Sequence, residues 1–305
     1  MRTRVGVVSR FNAWAPEEHP FRSAFQHAGL EYVPLRLGDI RLRASTKAGT
    51  TLDILPRIDG ANPDELDVDA VLWRVSENHF LRCRSLIQVL AERCEVINSL
   101  DCMDLCGDKW RTQEEMARRG LPTVPTQLLL PDSVVPDMGT ERTVIKPSFG
   151  AGGRGIRAVN PGQSVELDEA YIAQPEIEFS ASRHVRVLVC GGTPLVAIHR
   201  IPRAGRGAAD EVAVNNLSAG GTAAPAALSP VADIAAAAAQ AVGGLFVGVD
   251  LVPDEGRGHL ILEVNSSPGL EGVNAHSAAN VYHLVANEIV HRLGRSTGHG
   301  GQLLR

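Results

Sequence analysis

Phe246-Val-Gly-Val-Asp250 and Ile261-Leu-Glu263-Val-Asn265-Ser-Ser-Pro-Gly-Leu270 are two apolar runs joined by the turn-rich segment Pro253-Asp-Glu-Gly-Arg-Gly-His259. Apolar runs flanking such a turn read as an antiparallel hairpin, whose register brings Asp250 beside Glu263. Side chains two apart on a strand share a face, so Glu263 and Asn265 point the same way. Oxygen donors then converge from otherwise apolar strands. A donor set that leaves coordination positions open suits Mg²⁺ held partly through nucleotide phosphates. The plainer alternative is a solvent-facing hairpin with ordinary polar residues.

Outward from this hairpin, the 305 residues allow two or three domains. With 44% apolar and 21% charged residues, the chain has the composition of a globular protein with a real core. Its net charge of −5 provides no electrostatic footprint for nucleic acid or an anionic membrane, so neither is expected as a partner. Any phosphate is therefore held by local groups. No apolar run reaches the roughly 18 to 20 residues of a spanning helix, and Met1–Ser9 is too short and strand-like for a signal peptide. A cytoplasmic protein is expected, with homo-oligomerisation left open. The five cysteines, at 83, 94, 102, 106 and 190, form no disulfide framework, and no nearby Cys or His completes a zinc set with Cys102 and Cys106. Buried reduced thiols are the expectation.

Three parts and a tail follow from the patterning. In residues 1–95, Arg4–Val8, Tyr32–Leu37 and Ala70–Val75 read as strands, with Phe21–Gly29 and Arg84–Arg93 as helices, which predicts a small parallel α/β unit. Arg41–Glu65 is polar and turn-rich and reads as a flexible loop. Residues 96–174 hold a helix capped by Asp108 and stopped by Gly120, then strands at Arg142–Lys146, Ile156–Val159 and Tyr171–Gln174. Residues 175–295 hold a hairpin of Val185–Cys190 with Pro194–Arg200, an alanine-rich helix opened by Ser229-Pro230 and ended by Gly243-Gly244, the oxygen-donor hairpin, and a closing helix over Ala278–Leu293. Residues 296–305 read as a flexible tail.

Pro147-Ser-Phe-Gly150-Ala-Gly152-Gly153-Arg-Gly155 is followed by a strand, not by a helix, so it is neither a Walker A loop nor a dinucleotide fingerprint. It reads as a hairpin lid able to lay backbone N–H groups over phosphate oxygens, with Lys146 supplying a point charge. A tight turn with no ligand is the alternative.

In order along the chain, Asp108-Lys109, Val144-Ile-Lys146-Pro-Ser-Phe-Gly-Ala-Gly-Gly-Arg-Gly155, Val185-Arg186-Val-Leu-Val with its hairpin to Arg200, Asn216-Leu-Ser-Ala-Gly-Gly221, Gly248-Val-Asp250, and Leu262-Glu-Val-Asn-Ser-Ser-Pro-Gly-Leu-Glu-Gly272 resemble the RimK-like carboxylate–amine ligases of the ATP-grasp superfamily. The likeness spans about residues 95 to 293, and the first 95 fit a generic preATP-grasp unit. The resemblance implies a mixed α/β, α+β fold: a preATP-grasp α/β domain followed by two α+β subdomains that sandwich ATP. It implies that Lys109 and Lys146 hold ATP phosphates under the loop containing Gly150, Gly152 and Gly153. Asp250, Glu263 and Asn265 would ligate Mg²⁺, commonly two ions, with Mn²⁺ an alternative. Arg186 would sit over the transferring phosphoryl group, Asn216 would line the reaction centre, and Arg200 would anchor an acidic group unless it is a surface strand arginine.

The chain departs from that pattern in places. At the hinge that reads adenine it has Gln174-Pro175-Glu176-Ile177, so the Pro175 carbonyl and the Ile177 N–H take that role. His184 stands where an acidic residue commonly takes the ribose hydroxyls, and a neutral imidazole also accepts a hydrogen bond. Val214, Ser218 and Ala219 replace an arginine, a histidine and an arginine of the RimK subgroup, which argues against polyacidic or glutamate-tail substrates.

The chemistry implied is activation of a carboxylate as an acyl phosphate by ATP, followed by amine attack to form an amide, with ADP and phosphate released. Small-molecule or peptide carboxylates and amines are the expected partners. Specificity is sought in Arg41–Glu65, in Trp73-Arg74 (with core packing the alternative for Trp73), and in Arg203–Asp210. Two other readings are a macrocyclase acting on a ribosomal precursor peptide and a non-catalytic ATP-binding scaffold.

Overall fold

The computed structural model describes residues 2–9, 15–46, 49–54, 66–75, 80–150, 153–177, 184–201 and 221–299. These belong to two compact units, Met1–Leu100 with Ala279–Arg305, and Asp101–Ala278.

The first unit contains β1 (Arg4–Ser9), α1 (Ala15–His27), β2 (Glu31–Arg36), β3 (Ile40–Ser45), β4 (Gly49–Ile54), β5 (Ala70–Trp73), α2 (Phe80–Ala91) and β6 (Glu95–Ile97). Its parallel sheet has the order β2-β1-β5-β6. Val5, Val7, Val8, Ala70, Val71 and Leu72 are all buried, the continuous apolar signature of parallel strands covered on both faces. Two expectations change here. β3 and β4 form an antiparallel hairpin within the segment read as a loop, because Ile-Arg-Leu-Arg alternates with period two and Leu42 pairs with the buried Leu52; residues 55–65 lie outside the described residues. β6 pairs with β5 and completes the first sheet, so the boundary between units falls after it. Trp73 is buried, as core packing requires. Arg74 is also buried: its Nη2 donates to Glu17 Oε2 at 2.7 Å, and its guanidinium lies 5.7 Å from the centroid of Phe21. The arginine singled out for specificity is thus engaged in an interior ion pair.

The second unit opens with α3 (Leu100–Gly107) and α4 (Lys109–Arg118), whose N-cap Asp108 accepts from Trp110 N and Arg111 N at 3.0 and 3.3 Å. β7 (Gln127–Leu129), β8 (Thr143–Pro147), β9 (Arg157–Val159) and β10 (Tyr171–Pro175) form an antiparallel sheet in the order β7-β10-β8-β9. The glycine loop joins β8 to β9, and Gly150 and Gly153 adopt φ of 122° and 75°, which a side chain would resist. β11 (Val185–Cys190), β12 (Thr193–Ile201), β13 (Thr222–Pro225), α5 (Ala232–Val242), β14 (Phe246–Asp254), β15 (Gly258–Asn265) and α6 (Glu271–Asn274) complete the unit. Their antiparallel sheet has the order β13-β12-β11-β14-β15. One face of this sheet is Val185, Val187, Val189, Val247, Val249 and Leu251, clustered with Ala235, Ala238 and Ala239 of α5 and with Cys102 and Cys106 of α3. Small alanine side chains let α5 lie close to the strands. Polar residues on alternate positions are thereby directed to the opposite face.

The closing helix α7 (Val281–His299) belongs to the first unit and not to the C-terminal part assigned it by the sequence. Tyr282 meets Phe21 edge to face at 4.9 Å, and Arg292 Nε donates to Glu95 Oε1 at 2.9 Å. The helix continues past Gly294 to His299, into the segment expected to be a flexible tail. The cysteines are unbridged thiols, and burial raises the pKa of Cys83 and, with Glu95 adding, that of Cys94 to about 11. Among the described residues no helix is long and apolar enough to cross a membrane.

Candidate active site

The polar face of the five-stranded sheet is assembled by register. Arg186 lies opposite Asp250 across β11 and β14, and Asp250 lies opposite Glu263 across β14 and β15, with Gly248 opposite Asn265. Arg200, on β12, reaches the same place from the other side of β11. The position beside Arg186 leaves little room for a side chain: a Cβ on Gly248 would lie 3.0 Å from Pro268 Cβ and 3.4 Å from Arg186 Nε.

Asp250 is wholly buried, and both of its oxygens are engaged. Arg186 Nε donates to Oδ1 at 2.7 Å and Arg186 Nη2 to Oδ2 at 2.6 Å, the fork geometry of a bidentate pair. Arg200 Nη1 donates to Oδ2 at 2.9 Å. His184 Nε2 stands 3.8 Å from Oδ1. Burial alone would raise the Asp250 pKa, but Arg186 and Arg200, with His184, hold it well below the usual carboxylate range. Burial pushes His184 down to about 4 against the opposing charge of Asp250, so the imidazole is neutral near pH 7. Burial, reinforced by Arg186, also lowers the Arg200 pKa.

Glu263 differs in both respects. Its side chain is 35% exposed, and its nearest recorded cation, Arg186 Nη2, is 3.7 Å away. Asn265 Oδ1 accepts from Ser267 N at 2.9 Å, which fixes the turn after β15 and leaves the oxygen's second lone pair. Among the described residues no three His, Cys, Asp or Glu side chains cluster as a ready metal cage. A hard cation that completes its shell with phosphate and water needs no such cage. Glu263 and Asn265 have donor chemistry that fits that role, whereas the oxygens of Asp250 are engaged by guanidinium groups.

Lys146 enters from the other sheet of the same unit, and Lys109 from the head of α4. Lys146 is buried on β8, and burial lowers its pKa to about 8; Glu263 and Asp250 oppose that shift while Lys109 adds to it. These charges therefore act on one another across the space between the two sheets. Lys109 Nζ donates to the carbonyl oxygens of Pro147 and Gly150 at 3.2 and 2.5 Å, linking the head of α4 to the start of the glycine loop. At the hinge, the Glu176 carboxylate is paired with Arg142 through Nε at 2.9 Å and through Nη2, so its side chain is structural and its backbone carries the segment. Pro175 ends β10 opposite Thr143, and Ile177 packs beside Val124, Val252 and Leu260. Asn216 and Gly152 lie outside the described residues, as do Val214, Ser218, Ala219 and residues 203–210.

Two supports were not read from the sequence. Ser148 Oγ donates to Asp108 Oδ1 at 2.6 Å, and Ser148 O accepts from Lys109 N at 2.8 Å. Gln113 Nε2 donates to Leu262 O at 2.7 Å, pinning α4 to the strand beside Glu263. Only the Asp-Lys and Lys-Pro-Ser strings hint at the first, and nothing local signals the second.

The chain is similar to known proteins in sequence and in fold. The RimK-like ATP-grasp domain matches residues 106–290. A protein of Parasynechococcus marenigrum named "Probable alpha-L-glutamate ligase" is 28% identical over 241 residues, covering 74% of this chain and 50% of that protein, so the chain spans about half the length of that relative. The D-cycloserine synthetase DcsG superposes with a TM-score of 0.70 at 18% identity, over 95% of this chain and 99% of that one. A RimK domain ATP-grasp protein of Sphaerobacter thermophilus gives 0.66 at 17% identity, over 94% and 99%. At such identities the two structures show a shared fold alone.

Proposed function

The chain belongs to the RimK-like ATP-grasp family, and from that premise we propose that it is an ATP-dependent carboxylate–amine ligase. The observation that carries the proposal is the convergence, within one unit, of Lys109 from α4 and Lys146 from the glycine-loop sheet on the sheet face bearing Arg186, Arg200, Glu263 and Asn265. The two lysines receive the phosphate oxygens of ATP, and the hinge backbone at Pro175 and Ile177 reads the base. His184, neutral and buried, accepts from a ribose hydroxyl in this reading, which its unprotonated imidazole supports. Mg²⁺ held by Glu263 and Asn265 would neutralise phosphate charge.

In the first step a carboxylate oxygen of the acid substrate bonds to the γ-phosphorus, the bond to the bridging oxygen breaks, and ADP leaves. Arg186 and Arg200 face the charge that builds on the transferring group. In the second, an amine nitrogen attacks the acyl carbon, the carbon–oxygen bond to phosphate breaks, and the nitrogen gives up a proton. The glycine loop, tethered by Lys109, excludes water that would hydrolyse the acyl phosphate. Because Val214, Ser218 and Ala219 supply no cations, we assign the site an acid and an amine of low charge, in contrast with the glutamate ligase named for the relative. We place the activity in the cytoplasm, where ATP is available.

The test is release of ADP and phosphate across a panel of acids and amines, with mass spectrometry for the condensed product and Glu263→Gln as control. A product that requires one acid and one amine together, and that disappears in the control, establishes the ligase. Turnover only with a precursor peptide favours the peptide-modifying reading. Nucleotide binding without turnover under any of these conditions overturns the proposal in favour of a scaffold.

A further inference from the structure

Resting on the ligase reading above, we infer that Asp250 is a positioning residue that fixes Arg186 and Arg200 on the reactive sheet face and is not a ligand of the catalytic metal ion. Three guanidinium N–H groups reach its two oxygens, at 2.7, 2.6 and 2.9 Å. A carboxylate offers about four lone-pair sites, and three are used. The side of Oδ1 that remains is bordered by His184 Nε2 at 3.8 Å, in a residue with no solvent exposure. A dication bound there would lie against two guanidinium cations, on a carboxylate that solvent does not reach. Glu263, one strand away and 35% exposed, has the access that Asp250 lacks.

The strand order explains the arrangement. Asp250 sits on β14 next to β11, directly opposite Arg186, while β12 brings Arg200 in from beyond β11. A single buried carboxylate on β14 is thus shared by cations from two successive strands. Guanidinium groups held in this way need not reorganise when phosphoryl charge develops, which is where preorganised electrostatics contributes most.

The experiment measures Mn²⁺ affinity by electron paramagnetic resonance in the presence of a non-hydrolysable ATP analogue, for the full chain and for Asp250→Asn and Glu263→Gln. The expected result is at least tenfold weaker Mn²⁺ binding for Glu263→Gln and a change of no more than twofold for Asp250→Asn, whose kcat falls with little change in KM for ATP. Equal weakening in the two variants overturns the assignment. If Asp250→Asn does not fold, the wild-type crystal with Mn²⁺ and the analogue decides. An Asp250 oxygen about 2.1 Å from the ion, within ligand distance for such hard cations, overturns the inference, and retention of the Arg186–Asp250 bonds with the ion on Glu263 supports it. Absence of any Mn²⁺–nucleotide binding by the wild type removes the ligase reading, and this assignment with it.

Discussion

Lys109 Nζ lies 2.5 Å from the carbonyl oxygen of Gly150, so the first residue of α4 holds the first glycine of the β8–β9 loop. The ammonium is a loop tether, and in the proposed site it is also a charge for phosphate. Lys109→Met removes two charge-assisted hydrogen bonds, each worth about 1.5–3 kcal/mol. We expect nucleotide-analogue affinity, measured by calorimetry, to fall ten- to a hundredfold with the fold retained. Unchanged affinity would remove Lys109 from the nucleotide site.

Lys146 supplies a pH signature. Burial brings it from the ordinary lysine value down to about 8, so in the free protein it is charged below that pH and neutral above. Phosphate oxygens favour the charged form. Nucleotide binding should then take up a proton above about pH 8, with affinity falling by up to tenfold per pH unit. The folded value lies below the unfolded one, so Lys146 opposes folding at neutral pH and ceases to do so as pH rises through 8 toward the unfolded value. Calorimetry in buffers of different ionisation enthalpy reads the proton directly, and Lys146→Met should abolish the uptake.

Gly248→Ala tests the space beneath Arg186. The added Cβ would meet Pro268 Cβ at 3.0 Å and Arg186 Nε at 3.4 Å, so its neighbours, Pro268 first, must give by a few tenths of an ångström beside the Arg186–Asp250 pair. We expect a stability loss of about 1–3 kcal/mol, as for other overpacked sites, and a lower kcat with nucleotide affinity preserved. Full turnover would show that the position of Arg186 is not critical.

In the first unit, Glu17→Ala withdraws the carboxylate from beside the buried Arg74 guanidinium, 2.7 Å away. Removing one member of a buried pair costs about 3–5 kcal/mol. Denaturant melts should show a loss of that size, much of it regained when Glu17→Met is combined with Arg74→Met. A loss below about 1 kcal/mol would mean that water reaches the pair.

Much of the second unit was legible because its signals are local. Asp108 as a cap, the left-handed Gly243 ending α5 at φ 65°, and the glycine turn at Gly191-Gly192 are each fixed by neighbours in sequence. The Asp250–Glu263 register follows from a hairpin with a short turn. The β3–β4 hairpin was missed because its arginines and threonines masked a two-residue period, and β6 because a three-residue strand has too little pattern to declare its sheet.

By itself the sequence determined the mixed α/β architecture, the glycine hairpin with its lysines, and the row of oxygen donors on β14 and β15, since each depends on short-range periodicity and turn chemistry. Which of those donors is accessible was decided by the tertiary structure alone. Arg186 and Arg200 reach Asp250 across separations of 64 and 50 residues. α7, likewise, joins the first unit through Tyr282 on Phe21. A carboxylate's partners are set by which strands lie beside it, and strand order is a property of the folded sheet that no local run of residues encodes.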